Sequence, residues 1–404
     1  MIDGLAMNPP AVAGRASSAA ATNVRERWRM GTEARALTLI SAILTAFGLG
    51  VLYSASAFVA MSEKGSSAYF LISQAKGVAI GIVAFAIAAK FDADRYRGWA
   101  WGIMWFTIAA MLAVLVLPSR LAPEIHGSRR FLLGASLQPS EFGKLAVVLW
   151  CSMLIVKKGE NLKRLTKGLV PFLVVIGALD VLAALEPDLS IAMLYTLLMA
   201  LLLYVGGARL SHFIALGAMC LPLTLTHIEK WRYAFARIAA FVHPGTAPEM
   251  VSFQLRQSLI AVGSGGWIGR GFGEGMQQVY FVPFPYSDFV ASNIGEEWGF
   301  LGLAGITLAF ALYALFGFRI ARRARTPFLQ LVAVGLTFTT VLTAFLHIGV
   351  VVGLLPTTGL TLPFVSYGRS NLILTMLFTG ILVNIGSSKE RVIGSSATNP
   401  LSAP

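Results

Sequence analysis

Residues 328–354 read FLQLVAVGLTFTTVLTAFLHIGVVVGL, a run of 27 with no Asp, Glu, Lys or Arg. About 20 apolar residues in helical conformation cross the roughly 30 Å of bilayer hydrocarbon. This run therefore reads as a membrane-spanning helix, and it sets the fold class. Nine further apolar runs lie near 36–61, 68–89, 99–118, 141–156, 168–185, 189–205, 210–226, 298–318 and 364–386. The expectation is an all-α polytopic membrane protein with ten transmembrane helices. Residues 1–35 and 387–404 read as disordered tails around a membrane domain at 36–386. The first apolar run is too long for a signal peptide and lacks a convincing cleavage site. No internal repeat is visible.

Composition agrees with this class. Hydrophobic residues are 56% of the 404 and charged residues 13%, with a mean hydropathy of +0.72, far from the balance of a soluble domain. Cys151 and Cys220 sit inside apolar runs, which excludes a disulfide framework or a cysteine metal cluster. The net charge of +13 is a matter of topology rather than of nucleic acid. Of 32 Lys and Arg, 20 fall in alternate segments on one side of the ten spans, 10 on the other and two, Lys76 and Lys144, within spans. Positive charge gathers on the cytoplasmic face, so both termini are expected there. Some of the excess also suits anionic membrane lipid.

The longest segment on the opposite face, 227–297 between spans seven and eight, is too rich in Gly, Pro and aromatic residues to be a separate soluble domain. Ordered loops of this length are usually functional. Trp231 to Ile238 mixes Arg and aromatic residues as an interfacial helix does, which leaves a membrane anchor and a substrate contact equally open. Gly263 to Gly273 holds seven Gly or Ser in eleven residues, suited to tight turns and close backbone approach. No βαβ unit surrounds it, so it is not a dinucleotide loop.

Acids cluster near the same membrane boundary. Pro139 suits the first position of the fourth helix, which puts Glu141 in its first turn and Lys144 three residues on along one face. Glu141 alone is explained by the helix dipole, and Asp188 and Asp288 by helix N-caps. Their shared depth is not explained by capping. Charges in lipid need a partner or a hydrated cavity, so Asp288, Glu141, Lys144 and Asp188 point to a polar cavity opening toward the outer leaflet. Lys76 and Asp180 either face that cavity or pair with each other. Arg129 and Arg130 add cations suited to phosphate oxygens.

Five stretches carry a resemblance. They are Arg129-Arg130-Phe131 with Gln138 to Lys144; Glu186 to Leu189; Gln257 to Gly266; Asp288-Phe289 with Gly295 to Gly299; and Leu355 to Gly368. Together they resemble the shape, elongation, division and sporulation (SEDS) family from about residue 36 to 386. The Gly-Glu-Glu run and Leu355 to Pro363 look more like the division member than the elongation member. The resemblance implies a peptidoglycan glycosyltransferase that polymerises lipid II outside the bacterial cytoplasmic membrane, in septal synthesis. It implies Asp288 as the catalytic base, with Arg129, Arg130 and Lys144, and more weakly Arg256, balancing pyrophosphate charge. Glu141 and Asp188 match polar cavity positions that orient those cations or help hold a divalent ion, Mg²⁺ or Mn²⁺. Ser366 and Arg369 complete the implied substrate-binding set. Expected partners are lipid II, a class B penicillin-binding transpeptidase, other division proteins and membrane lipid, without nucleic acid.

Two stretches depart from the family pattern. Tyr286-Ser287-Asp288-Phe289 stands where the family usually has His-Thr-Asp-Phe, and Ser366-Tyr367-Gly368-Arg369-Ser370 where it has Ser-Tyr-Gly-Gly-Ser. Arg369 at a glycine position implies a different turn or an extra cation reaching lipid headgroups. A lipid II flippase, an elongation-type homologue and a scaffold that recruits another synthase remain as alternatives. A transporter is expected to place its site near the midplane, whereas these charges sit high.

Overall fold

The structure, a computed structural model, describes residues 24–124, 128–132, 137–209, 211, 213, 232–242, 249–281 and 284–393. The chain divides into two units, Met30–Ser387 and a small one made of Met1–Arg29 with Ser388–Pro404. The small unit is marked by strands β1 (Val24–Met30) and β2 (Ser387–Ile393), which pair as a two-stranded sheet.

The large unit is helical. Its elements are α1 (Thr32–Lys64), α2 (Tyr69–Lys90), α3 (Tyr96–Val116), α4 (Pro139–Lys158), α5 (Val170–Leu185), α6 (Leu189–Val205), α7 (Arg232–Val242), α8 (Glu249–Gly265), α9 (Val290–Arg322), α10 (Pro327–Val351) and α11 (Arg369–Ile385). Among the described residues seven helices are long and apolar enough to cross a membrane, and α6 and α11 are shorter apolar helices. Nine of the ten expected spans coincide with these helices, and the expected span at 210–226 lies outside the described residues.

Two helices form the centre. α4 buries 89% of its apolar window and α10 67%, against 22% for α2 and 28% for α9. In lipid the outward face of a helix is as apolar as its inward face, so hydropathy alone does not separate core from rim. Small residues mark the contacts instead: Gly335 of α10 lies against Val148 of α4, and Gly317 of α9 against Thr337 of α10. Three of the buried threonines of α10 are self-contained. Thr339, Thr340 and Thr343 donate back to the carbonyls of Gly335, Leu336 and Thr339 at 2.7, 3.1 and 2.8 Å, which keeps their hydroxyls satisfied inside the bundle.

Three expectations change here. The eighth span starts at Val290 rather than near 298, because Glu296 and Glu297 lie within the helix. The tenth starts at Arg369 rather than 364, because residues 352–368 form a loop dipping against α1, where Phe364 and Val365 meet Gly48. Lys76 and Asp180 do not pair: Lys76 is exposed on α2, and Asp180 accepts a hydrogen bond from Thr196 at 2.7 Å.

Candidate functional site

The glycine-rich segment is a splint for a broken helix. α9 is interrupted at Gly299, whose φ of 62° and ψ of −157° belong to a region essentially reserved for glycine. The break exposes main-chain groups, and the end of α8 with its following loop takes them up. Phe300 and Leu301 N–H donate to the carbonyls of Gly266 and Trp267 at 2.8 and 3.1 Å, while Arg270 and Gly271 N–H donate to those of Glu296 and Glu297, each at 3.0 Å. The approach leaves no space for a side chain, since a Cβ on Gly269 would stand 2.1 Å from the Glu297 carbonyl oxygen. Glu296 is 0% exposed and accepts from the main-chain N–H groups of Met276 and Gln277 at 3.0 and 3.1 Å. Glu297 accepts from the Ser54 hydroxyl of α1. Both acids therefore hold the loop and α1 to the first half of α9. They are structural.

That half-helix begins two residues after Asp288. Asp288 borders a small pocket with Arg237 of α7, Gln254 of α8, His347 of α10 and Thr357, Thr358 and Gly359 of the 352–368 loop. His347 joins three of these elements. Its Nδ1 lies 2.7 Å from the Leu360 carbonyl, and its Nε2 accepts from Ala291 N–H at 3.4 Å; that pair of partners selects the tautomer protonated at Nδ1. The Thr358 carbonyl accepts from Arg237 Nη1 at 3.3 Å and from the Ser190 hydroxyl in the first turn of α6. Burial pushes the Asp288 carboxyl up to about 6, against the opposing charges of Arg237 and Arg130 and a hydrogen bond from Ser287.

The altered residues around Asp288 have clear places. Tyr286 stacks on Phe70 of α2, ring centroids 4.6 Å apart, and meets Tyr367 edge-on at 5.9 Å. Its carbonyl accepts from Tyr367 N–H at 2.8 Å. Ser366 is a clamp rather than an open ligand-binding hydroxyl: its Oγ donates to the Ser287 carbonyl at 2.6 Å and accepts from Leu362 N–H at 2.9 Å. Ser366→Ala should lower stability by about 2 kcal/mol, because both main-chain groups lose a buried partner. Thermal unfolding in detergent measures this, and an unchanged midpoint would mean that neither group depends on Ser366.

A second cluster lies beside the first. Gln138 precedes α4, whose Pro139 takes the first helical position with Glu141 in the first turn. Lys144 Nζ holds both Glu141 oxygens at 2.9 and 2.7 Å, and the two residues are 3% and 5% exposed. Arg130 Nε donates to the Glu186 carbonyl at 3.0 Å, its Nη2 to the Pro187 carbonyl, and its Nη1 stands 3.6 Å from Asp188 Oδ2. Asp188 also caps α6 by accepting from Ile191 N–H. Glu186, which lies in the Glu186 to Leu189 stretch of the family resemblance without an implied role, is 0% exposed with both carboxyl oxygens unpartnered among the described residues. Burial, then the neighbouring Asp188, push its carboxyl up to about 8, so it is protonated at neutral pH. Burial raises Asp188 as well, opposed by Arg130. The two clusters communicate, since the charges of Arg130 and Asp188 both act on Asp288.

Other expected residues fall elsewhere. Arg129 donates to Ser119 at 3.2 Å. Arg256 is exposed, and its offset of two residues turns it to the side of α8 away from Gln254. Arg369 opens α11 in helical conformation, outside the left-handed residues of the chain, with its stem against Gly77 of α2. Among the described residues no three His, Cys, Asp or Glu side chains converge to hold a metal ion. Glu141 and Asp188 each face a cation instead, so the residues as arranged do not fit the expected Mg²⁺ or Mn²⁺. The sequence did not single out His347, Glu186 or Thr358. Arg237 was visible in it only within the interfacial segment.

Residues 34–391 match the family model FtsW/RodA/SpoVE, described as cell cycle protein. The chain is similar to a probable peptidoglycan glycosyltransferase FtsW of Trichlorobacter lovleyi, at 33% identity covering 90% of this chain and 96% of the relative. It is also similar to stage V sporulation protein E of Bacillus subtilis, at 34% identity covering 86% and 95%. Among solved structures, a chain from a study of the structural coordination of polymerization and crosslinking by a peptidoglycan synthase complex superposes with a TM-score of 0.72. That match has 24% identity and covers 87% of this chain and 96% of the other. The crystal structure of the rod shape determining protein RodA of Thermus thermophilus gives a TM-score of 0.61 at 22% identity, covering 87% and 95%.

Proposed function

The chain belongs to the FtsW/RodA/SpoVE family of cell cycle proteins, and from that premise we propose that it is a peptidoglycan glycosyltransferase polymerising lipid II at the outer face of the bacterial cytoplasmic membrane, in septal synthesis. The observation that carries this reading is Asp288, a carboxyl raised to about 6 in a pocket that also holds a cation. A general base works best with a pKa near the operating pH. At neutral pH Asp288 is mostly ionised and still basic enough to take a proton from a sugar hydroxyl as it attacks.

The transfer balances with groups already present. The acceptor hydroxyl oxygen bonds to the donor's anomeric carbon, and its proton passes to Asp288. The bond from that carbon to the phosphate oxygen breaks, and the polyprenyl pyrophosphate leaves with the electron pair. Positive charge placed where the leaving group develops negative charge lowers the barrier. Arg130 and Lys144 set the potential of the cavity from fixed ion pairs, and Asp188 and Glu141 keep them in place. Ten spans with both termini cytoplasmic, a class B penicillin-binding transpeptidase as partner, contacts with other division proteins and recruitment to the septum belong to the same reading. It is supported by the FtsW names of the relatives and by a structural neighbour taken from a synthase complex.

The test is purified protein in liposomes with lipid II and the transpeptidase. Glycan polymer supports the enzyme, whereas lipid II translocation without polymer replaces it with a transporter. The pH profile is a second expected outcome. The rate should be nearly level above pH 7 and fall about tenfold per unit once the pH drops below about 6, as Asp288 takes up its proton. A rate that holds down to pH 5 would remove Asp288 as base.

A further inference from the structure

Tyr286 stands two residues before Asp288 and carries a hydroxyl that the fold leaves unused. Its ring is fixed. It stacks on Phe70 of α2 at 4.6 Å, Tyr367 meets it edge-on at 5.9 Å, and its own carbonyl is tied to Tyr367 N–H at 2.8 Å. The two phenols then differ. The Tyr367 hydroxyl is spent inside the protein, 3.2 Å from Ser73 Oγ. The Tyr286 hydroxyl has no partner among the described residues, and the residue is only half-buried. A phenol whose ring is packed normally finds a partner for its polar end. An open hydroxyl on a fixed ring is a donor set out for a ligand, and little side-chain freedom is lost when it binds.

The surrounding charges select the ligand. Burial first, then Glu63, Tyr367 and Asp288, push the phenol up to about 12, so it keeps its proton at physiological pH and donates. The acids acting on it repel phosphate, whereas the cations Arg237 and Arg130 act on Asp288. The phosphate end of a substrate belongs with those cations. The Tyr286 hydroxyl suits an uncharged ligand rich in hydroxyl and amide groups, which is the chemistry of a saccharide. A packed aromatic with one placed polar group fixes the orientation of such a ligand. Two residues of chain span at most about 7 Å, so one sugar ring can lie against both Tyr286 and Asp288.

We propose that Tyr286 is a sugar-binding residue of the transferase site, its hydroxyl donating to the saccharide that lies beside Asp288. This rests on the glycosyltransferase reading above and adds to it a contact with the sugar rather than with the pyrophosphate.

The experiment uses the full chain in nanodiscs with its transpeptidase partner and two probes, lipid II and undecaprenyl pyrophosphate, which carries no sugar. Direct binding of each is measured for wild type, Tyr286→Phe and Tyr367→Phe, together with the KM for lipid II and the thermal midpoint. Tyr286→Phe keeps the stacked ring and removes only the open hydroxyl. It is expected to weaken lipid II binding about fivefold, the loss of one hydrogen bond, and to raise KM by a similar factor. Undecaprenyl pyrophosphate binding and the midpoint should stay at wild-type values, and Tyr367→Phe should bind both probes as wild type does. Unchanged lipid II affinity in Tyr286→Phe overturns the proposal. So does an equal loss for both probes, or an equal loss of lipid II affinity in Tyr367→Phe, since either would mean a distorted site. A Tyr286→Phe chain that fails to fold would show that the hydroxyl serves the fold, and the proposal falls with it. A wild type that makes no glycan but binds lipid II through this hydroxyl would sink the glycosyltransferase reading and leave the sugar contact standing.

Discussion

Asp288→Asn is expected to lower glycan polymerisation by about 10²- to 10⁴-fold, the range attributed to a positioned general base. The amide keeps the shape of the carboxylate and a partner for Ser287, but it cannot accept the acceptor's proton. Folding should not suffer. Burial holds the Asp288 pKa above its ordinary value, so the ionised carboxyl is disfavoured in the folded chain and a neutral isostere relieves that cost. Initial rates with lipid II, set beside thermal unfolding of the same preparations, separate the two effects. A rate within threefold of wild type would end the base assignment, and a rate lost only together with the thermal transition would turn Asp288 into a structural cap.

Gly299→Val should unfold the same site from a distance. The position needs φ 62° and ψ −157°, which costs a residue with a side chain about 1–3 kcal/mol. A Cβ there would lie 2.4 Å from Gly269 N and 2.8 Å from both Ile268 N and Trp267 C. Such overpacking adds about 1–3 kcal/mol. The combined loss of about 4 kcal/mol falls on the splint that orients the first half of α9, and Asp288 immediately precedes that half. Stability and polymerisation should decline together. Gly305→Ala is the control, because nothing lies within 4 Å of a Cβ at that helical position of α9; it should be neutral or stabilising by up to about 1 kcal/mol. Equal behaviour of the two variants would refute a glycine requirement at the break.

Most of the helical architecture is legible because a bilayer demands it. Residues 328–354 can hardly be anything but a spanning helix, and Pro139 followed by Glu141 marks the start of α4 with little ambiguity. The start of α9 was less readable. In sequence Glu296 and Glu297 fall either in the 227–297 loop or on a helix that Asp288 starts, and what they hold is not readable, because their partners, the N–H groups of Met276 and Gln277 and the hydroxyl of Ser54, come from remote parts of the chain. Asp288 and the two clusters of charge could be found by asking why acids stand beside apolar runs. His347 could not, since one polar residue in a long apolar helix gives no hint of which carbonyl it meets. At Arg369 the sequence left a different turn or an extra cation open, and the residue begins a helix with its stem along Gly77.

The splint also sets how this region breathes. Four amide hydrogens, those of Arg270, Gly271, Phe300 and Leu301, are secured by bonds running between the loop and α9. None can be released by fraying a helix end, because each bond crosses from one segment to the other. They should exchange with deuterium as one cooperative group, at a rate set by separation of the two segments. That common rate gives a clock for how often the platform beneath Asp288 comes apart.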